Sequence, residues 1–321
     1  MSKKNTQKSA LENVKAYNFC GKKKMILGIS IGVLIALILG IIIRGVNFAI
    51  EFKGGTMLTY SYSGDIDANS VTAVVKENVN TNINVRMGED VNTGGKQFMI
   101  SFTSEDGFNA DKQAALTEAL KSKFASNEIR DTESNDVNPS TGREFFIKCI
   151  VAILFAALLV IIYIAVRFRK IGGWSAGFCS ILALCHDLVV ALAVSILFGF
   201  EFNSNTVAVI LTILGYSINN TIVIYDRIRE DRTLMAKASL NDVINMGCTQ
   251  SLTRSIRTSI TTIFTMLVIT VVALVQGYDS LLTFSVPLMA GLISGTYTSL
   301  FVAPVTWSWW KNKSKVKKTA K

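Results

Sequence analysis

The feature that most restricts the fold of this chain is a set of six apolar runs, each long enough to cross a lipid bilayer. A helix needs about 20 mostly apolar residues to span the hydrocarbon core. The runs lie at residues 25–43, 145–166, 174–198, 206–225, 258–275 and 281–303. The chain is 50% hydrophobic and 17% charged, which is more apolar than an ordinary soluble protein. We therefore predict an α-helical polytopic membrane protein with six transmembrane helices.

The distribution of Lys and Arg predicts how these helices are oriented. Basic residues are concentrated in four segments, at 1–24, 167–173, 226–257 and 304–321. The connections 199–205 and 276–280 contain neither Lys nor Arg. Because short cytoplasmic loops carry an excess of positive charge, both termini are expected in the cytoplasm. The formal net charge of +10 therefore indicates membrane topology and contact with anionic membrane lipids, and we predict no nucleic acid partner.

The same pattern divides the chain into five parts. They are a cytoplasmic basic N-terminus at 1–24, transmembrane helix 1 at 25–43, an extracytoplasmic α+β domain at 44–144, the five-helix remainder of the transmembrane bundle at 145–303 and a cytoplasmic basic tail at 304–321. A cleaved signal peptide is the alternative interpretation of the first apolar run. That run is longer than the apolar region of a typical signal peptide, and residues 45–48 make a poor cleavage site. We therefore predict an uncleaved span.

The segment 44–144 has the residue spacing of a small α+β domain. Strand-like alternation occurs at 46–52, 57–61, 82–87 and 97–102 and more weakly near 129–132, and helical spacing occurs at 66–77 and 110–124. The order β-α-β-β-α-β predicts a ferredoxin-like domain between transmembrane helices 1 and 2. Residues 92–95 (NTGG) predict a hairpin turn. Gly54 and Gly55 indicate a tight turn or a close backbone contact, since the GK[ST] of a phosphate-binding loop does not follow them.

Other residue types argue against catalysis. All five cysteines lie outside the 44–144 segment, so we predict no disulfide in that domain. The sequence has one histidine and no metal-ligand spacing, nucleotide loop or nucleophile–base pair. We therefore predict no metal, no cofactor and no catalytic residue, and a protein that is not an enzyme.

Polar residues in the third and fourth spans form the candidate functional site. The set comprises His186, Asp187, Ser217, Asn219, Asn220 and Thr221. Ionisable groups inside a span are costly and indicate an ion relay, whereas amides and hydroxyls also serve as hydrogen bonds between helices. Both interpretations of this intramembrane polar cluster stay open. Adjacent residues diverge by about 100° around a helix, so we expect His186 and Asp187 to have separate partners.

Three further patterns predict packing. Gly291 and Gly295 have the small-xxx-small spacing of a close helix contact. Residues 233–257 predict an amphipathic helix on the inner membrane surface, with a surface for a cytosolic partner as the alternative. The tryptophans after the sixth span predict an interfacial belt, and they are Trp307, Trp309 and Trp310.

Residues 215–231 (GYSINNTIVIYDRIRED) resemble the fourth-span signature of the SecD/SecF family of Sec translocase subunits, in its SecF form. Further segments are similar to the family in the same order, namely 47–56 (NFAIEFKGGT), 137–145 (VNPSTGREF), 244–262 (INMGCTQSLTRSIRTSITT) and 291–304 (GLISGTYTSLFVAP). The residues that match its motifs are Phe52, Gly54, Gly55, Thr56, Gly215, Tyr216, Asp226, Arg227 and Arg254.

This resemblance implies a role in protein translocation. It implies membership of the resistance–nodulation–division (RND) superfamily, a location in the bacterial inner (cytoplasmic) cell membrane, and a partner, SecD, that completes a pseudo-symmetric pair of six-span bundles. The complex would use the proton motive force or a sodium gradient to help unfolded exported polypeptide through the SecYEG translocon. A YidC-type insertase is a further partner that the resemblance suggests.

One residue departs from the family pattern. The family commonly has an aspartate where this chain has Asn220, and an amide does not take up or release a proton in the working pH range. The ion would then be carried by Asp187, by His186 or by a SecD carboxylate, or it would be sodium. Two other functions stay open, namely a small-molecule or lipid transporter of the same superfamily and a non-energised assembly factor for the translocon.

Overall fold

The computed structural model describes residues 15–79, 83–89, 94–102 and 110–319. The elements are α1 (Lys23–Arg44), α2 (Ile50–Lys53), β1 (Gly55–Ser61), α3 (Ala68–Asn78), β2 (Ile83–Glu89), β3 (Lys96–Phe102), α4 (Ala110–Lys123), β4 (Arg130–Val137), α5 (Pro139–Arg167), α6 (Gly173–Leu197), α7 (Ser204–Leu234), α8 (Leu240–Gln276), α9 (Asp279–Tyr297) and α10 (Ala303–Thr319). A π-helical turn, Thr298–Val302, joins α9 to α10 without a break.

Within this described part, six helices are long and apolar enough to cross a membrane, as the sequence predicts. They are α1, α5, α6, α7, α8 and the continuous α9–α10 helix. Half or more of the apolar window is buried in α6, α7 and α9–α10, whereas α1, α5 and α8 bury less than a fifth of theirs. The bundle therefore has three inner helices and three outer ones, and polar side chains such as Asp187 and Ser217 are buried on the inner helices.

The described strands form one small antiparallel sheet in the order β2-β3-β1-β4. Leu58 of β1 lies opposite Ile100 of β3, and Ile100 lies opposite Val85 of β2. Alternate strand residues point to one face, where α3 and α4 cover them. This core includes Leu58, Ile100 and Leu116, which are fully buried. The strands and helices expected at 57–61, 66–77, 82–87, 97–102 and 110–124 are present within one or two residues.

Three predictions for the 44–144 segment differ from the structure or cannot be compared with it in full. The strand predicted at 46–52 is wrong, because α2 begins at Ile50 and Phe48 makes an isolated parallel bridge with Phe202. Its alternating apolar residues instead fill an aromatic cluster that includes Phe48, Phe52, Phe146 and Phe202. The weak strand near 129–132 is longer than expected and ends at Val137. Residues 92 and 93 of the predicted hairpin turn lie outside the described residues.

The two consecutive glycines adopt backbone angles that suit glycine. Gly54 has φ +81° and Gly55 has φ +142°. A Cβ on Gly55 would overlap the carbonyl oxygen of Phe102, and one on Gly54 would overlap Pro139 at the start of α5. The pair therefore allows β1 and the second span to approach each other closely.

The amphipathic surface helix predicted at 233–257 is wrong. The helix α7 continues to Leu234, and after a short connection the single helix α8 begins at Leu240 and runs through the fifth span. A Cβ added to Gly247 would lie 2.6 Å from Ile228 Cγ1, so the two helices are in close contact here. The apolar residues of 240–248 are buried against α7 instead of facing lipid headgroups. We call the paired ends 226–234 and 240–254 the α7–α8 hairpin.

The interfacial role predicted for Trp307 is also wrong. Trp307 is buried, its Nε1 donates to Ser175 Oγ at 3.0 Å, and its ring lies 5.7 Å from that of Tyr225. Trp309 and Trp310 are 44% and 43% exposed, respectively. The first tryptophan therefore joins α10 to the bundle, and the other two face outward.

The loop between α6 and α7 joins the sheet to the bundle. Glu201 Oε2 lies 2.6 Å from Arg86 Nη2 of β2, and Glu201 Oε1 accepts from Asn84 Nδ2 at 2.5 Å. Phe202 exchanges backbone hydrogen bonds with Asn47 and Ala49 of the segment after α1. The sheet is thus attached to the loop that connects the two inner helices α6 and α7.

Candidate functional site

Asp187 lies near the middle of α6 and is fully buried. It is ten residues from the end of the helix at Leu197, roughly 15 Å at the helical rise, and fourteen from its start at Gly173, roughly 21 Å. A carboxylate at such a depth is costly unless other groups compensate it. The groups around Asp187 therefore determine whether its carboxylate can stay charged inside the bundle.

Hydroxyl groups of α7 and α9 surround the carboxylate. Among the described residues, three hydroxyls donate to it: Ser217 Oγ to Oδ2 at 2.7 Å, Ser294 Oγ to Oδ1 at 2.7 Å, and Thr298 Oγ1 at 2.9 Å from both oxygens. No lysine or arginine in the described ranges pairs with Asp187. The donors satisfy the carboxylate but do not neutralise its charge.

His186 contacts the same network. Its Nδ1 lies 3.1 Å from Ser294 Oγ and 3.8 Å from Asp187 Oδ1. Its Nε2 is buried and has no hydrogen-bond partner among the described residues. The expectation that His186 and Asp187 have separate partners is wrong, because Ser294 reaches both from the facing helix. The 100° divergence holds for their Cβ atoms, and one hydroxyl fits between the two diverging side chains.

The local backbone of the sixth span positions these hydroxyls. Gly295 faces the site so closely that an added Cβ would lie 3.2 Å from Ser217 Oγ and 3.4 Å from Asp187 Oδ2. Thr298 begins the π-helical turn, a feature often found at functional sites. One residue on, Ser299 Oγ lies 2.9 Å from Thr221 Oγ1, and both hydroxyls donate to the Ser217 carbonyl at 3.1 Å. The hydroxyl network therefore extends from Asp187 toward the next turn of α7.

The structure brings together part of the predicted cluster. His186, Asp187, Ser217 and Thr221 belong to the hydroxyl network. Asn220 is buried on α7 about one helical turn after Ser217, and its Nδ2 has no hydrogen-bond partner in the described structure. Asn219 is exposed on the opposite side of the helix and is not part of the network. We call Asp187, His186, Ser217, Ser294 and Thr298 the Asp187 site.

The remaining motif residues lie elsewhere in the fold. Phe52 belongs to the aromatic cluster, and Thr56 Oγ1 donates to the Asp136 carboxylate. Tyr216 donates to Ser259 and Thr262 of α8 at 3.4 and 3.5 Å, and a Cβ on the exposed Gly215 would meet no atom within 4 Å. Gly291 packs against Ile213 and Ala191, and with Gly295 it lies along the contact of α9 with α6 and α7.

A second group of charges lies in the α7–α8 hairpin. Asp226 pairs with Arg167 at 2.9 Å and with Arg229 at 2.8 Å. Arg227 pairs with Glu230 at 2.7 Å and donates to Gln250. A cavity of about 520 Å³ lies between α7 and α8, and its lining includes Asp226, Arg227, Arg229, Glu230, Gln250 and Arg254, but not Arg167.

Asp231 is the buried member of this group. It is fully buried, and Arg227 Nε lies 3.7 Å from its Oδ1. Neither carboxylate oxygen has a hydrogen-bond partner among the described residues. It is 27 residues beyond Ser204, roughly 40 Å, which places it past a hydrocarbon core of about 30 Å. Burial raises the pKa of Asp231 to about 6, and the Arg227 guanidinium offsets part of that rise.

Sequence reasoning missed Ser294, Thr298, Glu201 and Asp231. A signal for the first two was present, since they are polar residues four apart in an apolar run and so share one face of a helix. Asp231 carried no such signal, because it lies among other charged residues in the sequence. Glu201 carried none because it lies in a short loop outside the apolar runs, where a charged residue is ordinary.

Comparison with known proteins assigns a family to this arrangement. A profile described as "Protein export membrane protein SecD/SecF, C-terminal" matches residues 116–313, and one described as "SecD/SecF GG Motif" matches residues 40–66. The chain is 30% identical over 310 residues to a protein translocase subunit SecF of Petrotoga mobilis, covering 94% of this chain and 98% of the relative. It is 32% identical to a protein translocase subunit SecF of Rickettsia prowazekii, covering 90% of this chain and 89% of the relative.

Solved structures give the same result at the level of the fold. The chain is similar to SecDF from Thermus thermophilus, with a TM-score of 0.77, 26% identity and 93% of this chain covered. It is also similar to SecDF in the super-membrane-facing form, with a TM-score of 0.68, 26% identity and 96% coverage. This chain spans 39% and 40% of those two SecDF chains.

Proposed function

This chain belongs to the SecD/SecF family of protein-export membrane proteins, and we propose that it uses an ion gradient, together with SecD, to promote late export through SecYEG. It is a SecF-like accessory subunit of the Sec translocase and a multi-pass membrane protein. Its relatives are named as protein translocase subunits, and these names describe transport and not catalysis.

The observation that carries this proposal is the Asp187 site. A buried carboxylate with hydroxyl donors and no fixed cation has one stable way to change its charge, which is to bind and release a mobile cation. Asp187 is on α6 and its donors come from α7, from α9 and from the π-helical turn after α9, so a change in its charge would alter the contacts among the three inner helices. Two states of the bundle biased by ion binding are what gradient-driven transport requires.

We propose that the loop between α6 and α7 passes this change to the sheet domain. Glu201 binds Arg86 and Asn84 of β2, and Phe202 pairs with the segment after α1. A shift of α6 relative to α7 would pull on both contacts. The element order and the strand order β2-β3-β1-β4 support a ferredoxin-like domain, and we propose that this domain is extracytoplasmic and holds the emerging polypeptide.

The charge distribution supports cytoplasmic termini. The α7–α8 hairpin and the α5–α6 connection carry arginines that include Arg167, Arg227 and Arg254, whereas the loop that holds Glu201 has no Lys or Arg. This orientation puts the sheet on the opposite side of the membrane from the hairpin.

We propose that SecD covers an exposed polar stripe on α7 and α8. Gly215 and Asn219 of α7 are exposed, as are Thr258, Thr261 and Thr265 of α8. An amide facing hydrocarbon is unfavourable, and small residues allow helices to approach closely. The SecDF relatives contain both parts in one chain, of which this chain matches 40% or less, and this leaves room for a partner of SecD type.

The second candidate function is a non-energised assembly factor. Asn220 favours it, because the family commonly has an aspartate there and the amide cannot carry a proton. In this account the Asp187 site is a structural hydrogen-bond cluster and does not change its charge.

The experiment that separates these functions is post-initiation protein translocation into proteoliposomes that contain this chain, SecD and SecYEG, with and without an imposed proton or sodium gradient. We expect the gradient to speed late translocation, and we expect Asp187→Asn to abolish that gain. Asn220→Asp is the comparison variant. A parent protein that gains nothing from the gradient, and gains only with Asn220→Asp, would instead support the assembly factor.

A further inference from the structure

Ser294 is within hydrogen-bonding reach of two acceptors in the Asp187 site. Its Oγ lies 2.7 Å from Asp187 Oδ1 and 3.1 Å from His186 Nδ1. A hydroxyl has one proton, so it donates to one acceptor at a time, and its oxygen can accept from the other group. Thr298 has a similar choice, since its Oγ1 reaches both carboxylate oxygens at 2.9 Å and the Gly295 carbonyl at 3.4 Å.

These alternatives matter because all of the named donors favour the charged carboxylate. If Asp187 gains a proton, its new O–H needs an acceptor, and the hydroxyls that donated to that oxygen must turn away. In a dry site a hydroxyl without a second acceptor would oppose protonation. Ser294 and Thr298 both have such an acceptor within the described structure.

We propose that Ser294 is a two-position hydroxyl that couples protonation of Asp187 to His186. This rests on the proposed function, in which Asp187 binds the coupling ion. With Asp187 charged, Ser294 donates to Oδ1. When a proton binds Oδ1, the Ser294 hydroxyl rotates about its Cβ–Oγ bond, accepts from the new Oδ1–H and donates to Nδ1 of neutral His186. His186 carries its proton on Nε2 in both states, so the proton on Oδ1 is the one gained, and no covalent bond of Ser294 breaks.

His186 acts in this arrangement as an acceptor and a positioning residue. It is buried, and its ring is 6.5 Å from that of Tyr297. The titratable neighbours of Asp187 among the described residues are Cys185 and His186 on α6, Tyr297 of α9 lies beside the His186 ring, and α7 presents the hydroxyl of Ser217. In the same ranges no lysine, arginine or second carboxylate forms an ion pair or hydrogen bond with Asp187. The group that responds to protonation of Asp187 is therefore the Ser294 hydroxyl and not a nearby fixed charge.

The test uses infrared difference spectroscopy of the complex with SecD in bilayers. The protonated carboxyl band that disappears in Asp187→Asn is followed against pH. Removing a donor to the charged form makes protonation easier, so Ser294→Ala is expected to move the midpoint up by about one pH unit, a tenfold change in proton affinity. Removing the acceptor makes protonation harder, so His186→Leu is expected to move the midpoint down by about the same amount.

Two further variants separate this role from structural damage and from titration of the imidazole. His186→Asn keeps a hydrogen-bonding atom near the position of Nδ1 and is expected to behave as the parent. Ser180→Ala is the matched control, because Ser180 is buried on the same helix and donates to the Ala176 carbonyl. If Ser294→Ala does not assemble with SecD, Thr298→Val removes another donor and is also expected to raise the midpoint.

Shifts of the same sign in Ser294→Ala and His186→Leu would overturn the proposal, and so would a midpoint in His186→Asn that matches His186→Leu. A spectrum with no band that depends on Asp187 at any pH would overturn the proposed ion-carrying role itself. The two failures are therefore distinguishable.

Discussion

Two fully buried carboxylates, Asp187 in the middle of α6 and Asp231 near the end of α7, are held by opposite means. Asp187 accepts hydrogen bonds from Ser217, Ser294 and Thr298 and has no arginine or lysine partner among the described residues. Asp231 has an arginine 3.7 Å away and no hydrogen-bond donor in the same ranges. One site supplies donors without charge, and the other supplies charge without donors.

This difference indicates which carboxylate suits ion exchange. Hydroxyls can rotate to follow a change in charge, so the Asp187 site accommodates both states at small structural cost. An arginine is permanently charged and favours one state of its partner. Burial opposes the charge on Asp231, so its carboxylate is in an unfavourable environment within the α7–α8 hairpin, and the surroundings do not suit ion exchange.

The largest expected effect is on the pH dependence of stability at Asp231. Its pKa is raised from 3.8 to about 6 in the folded protein, so the folded state binds this proton more tightly than the unfolded state does. Stability from this group is therefore complete below pH 4 and is lost as pH rises to about 6. The loss is about 3 kcal/mol at most. Asp231→Asn is expected to remove it, so that the melting temperature rises relative to the parent at pH 8 and is unchanged near pH 4.

The control for this prediction is the same pair of measurements on Asp226→Asn. Asp226 is a neighbour on α7 with two arginine partners and partial exposure. A gain in stability at pH 8 for Asp226→Asn, with none for Asp231→Asn, would contradict the assignment of the conflict to Asp231.

The next effect concerns the hydroxyl donors of Asp187. Thr298→Val keeps the shape of the side chain and removes a donor within 2.9 Å of both carboxylate oxygens. A hydrogen bond to a charged group contributes about 1.5–3 kcal/mol, so we expect a loss of about 2 kcal/mol in thermal unfolding at pH 8. Thr270→Val is the matched variant, because Thr270 is buried and bonds to the neutral oxygens of Met266 and Ser285. Equal losses in the two variants would show that the charge of Asp187 does not matter.

A third carboxylate sharpens the contrast because it has both a fixed cation and a donor. Glu201 binds Arg86 at 2.6 Å and accepts from Asn84, with its side chain 15% exposed. We expect Glu201→Gln to cost about 1 kcal/mol and to increase hydrogen exchange in β2 amides, while amides of α8 are unaffected. A reversed pair, Arg86→Glu with Glu201→Arg, is expected to recover part of the protection. Unchanged exchange in β2 would argue against the junction.

The smallest expected effect is at Glu230. This partly exposed residue pairs with Arg227 at 2.7 Å, and such pairs contribute about 0–1 kcal/mol. Glu230 also raises the pKa of Asp231, so Glu230→Gln is expected to lower the pH at which the step in stability ends and to reduce its height slightly. A step that moves to higher pH would contradict the charge assignment in the α7–α8 hairpin.

The spans were predictable because apolar length is a local property. Residues such as Leu58 and Ile100 were also placed on strands by their alternation, and the sheet forms there. The segment at 46–52 has the same alternation but is not a strand. Its phenylalanines pack against Phe146 and Phe202, which are distant in sequence, and this packing overrides the local pattern.

The candidate site was predictable in part for a related reason. His186 and Asp187 stand out because titratable groups are rare in apolar runs. Their partners Ser294 and Thr298 lie more than 100 residues later, and nothing local to Asp187 identifies them. The charges of 226–257 were equally visible in the sequence, but residues 226–234 contain no Gly or Pro, and this was the better guide to the structure. It allows α7 to continue beyond the apolar run to Leu234, where α8 packs against it.

The most direct test of ion carriage by Asp187 is ion flux into proteoliposomes that contain this chain and SecD without the translocon. An imposed proton or sodium gradient would be followed with an internal pH- or sodium-sensitive dye for the parent, Asp187→Asn and Asp231→Asn. The account predicts flux in the parent and in Asp231→Asn, and none above empty vesicles in Asp187→Asn. Undiminished flux in Asp187→Asn would contradict it.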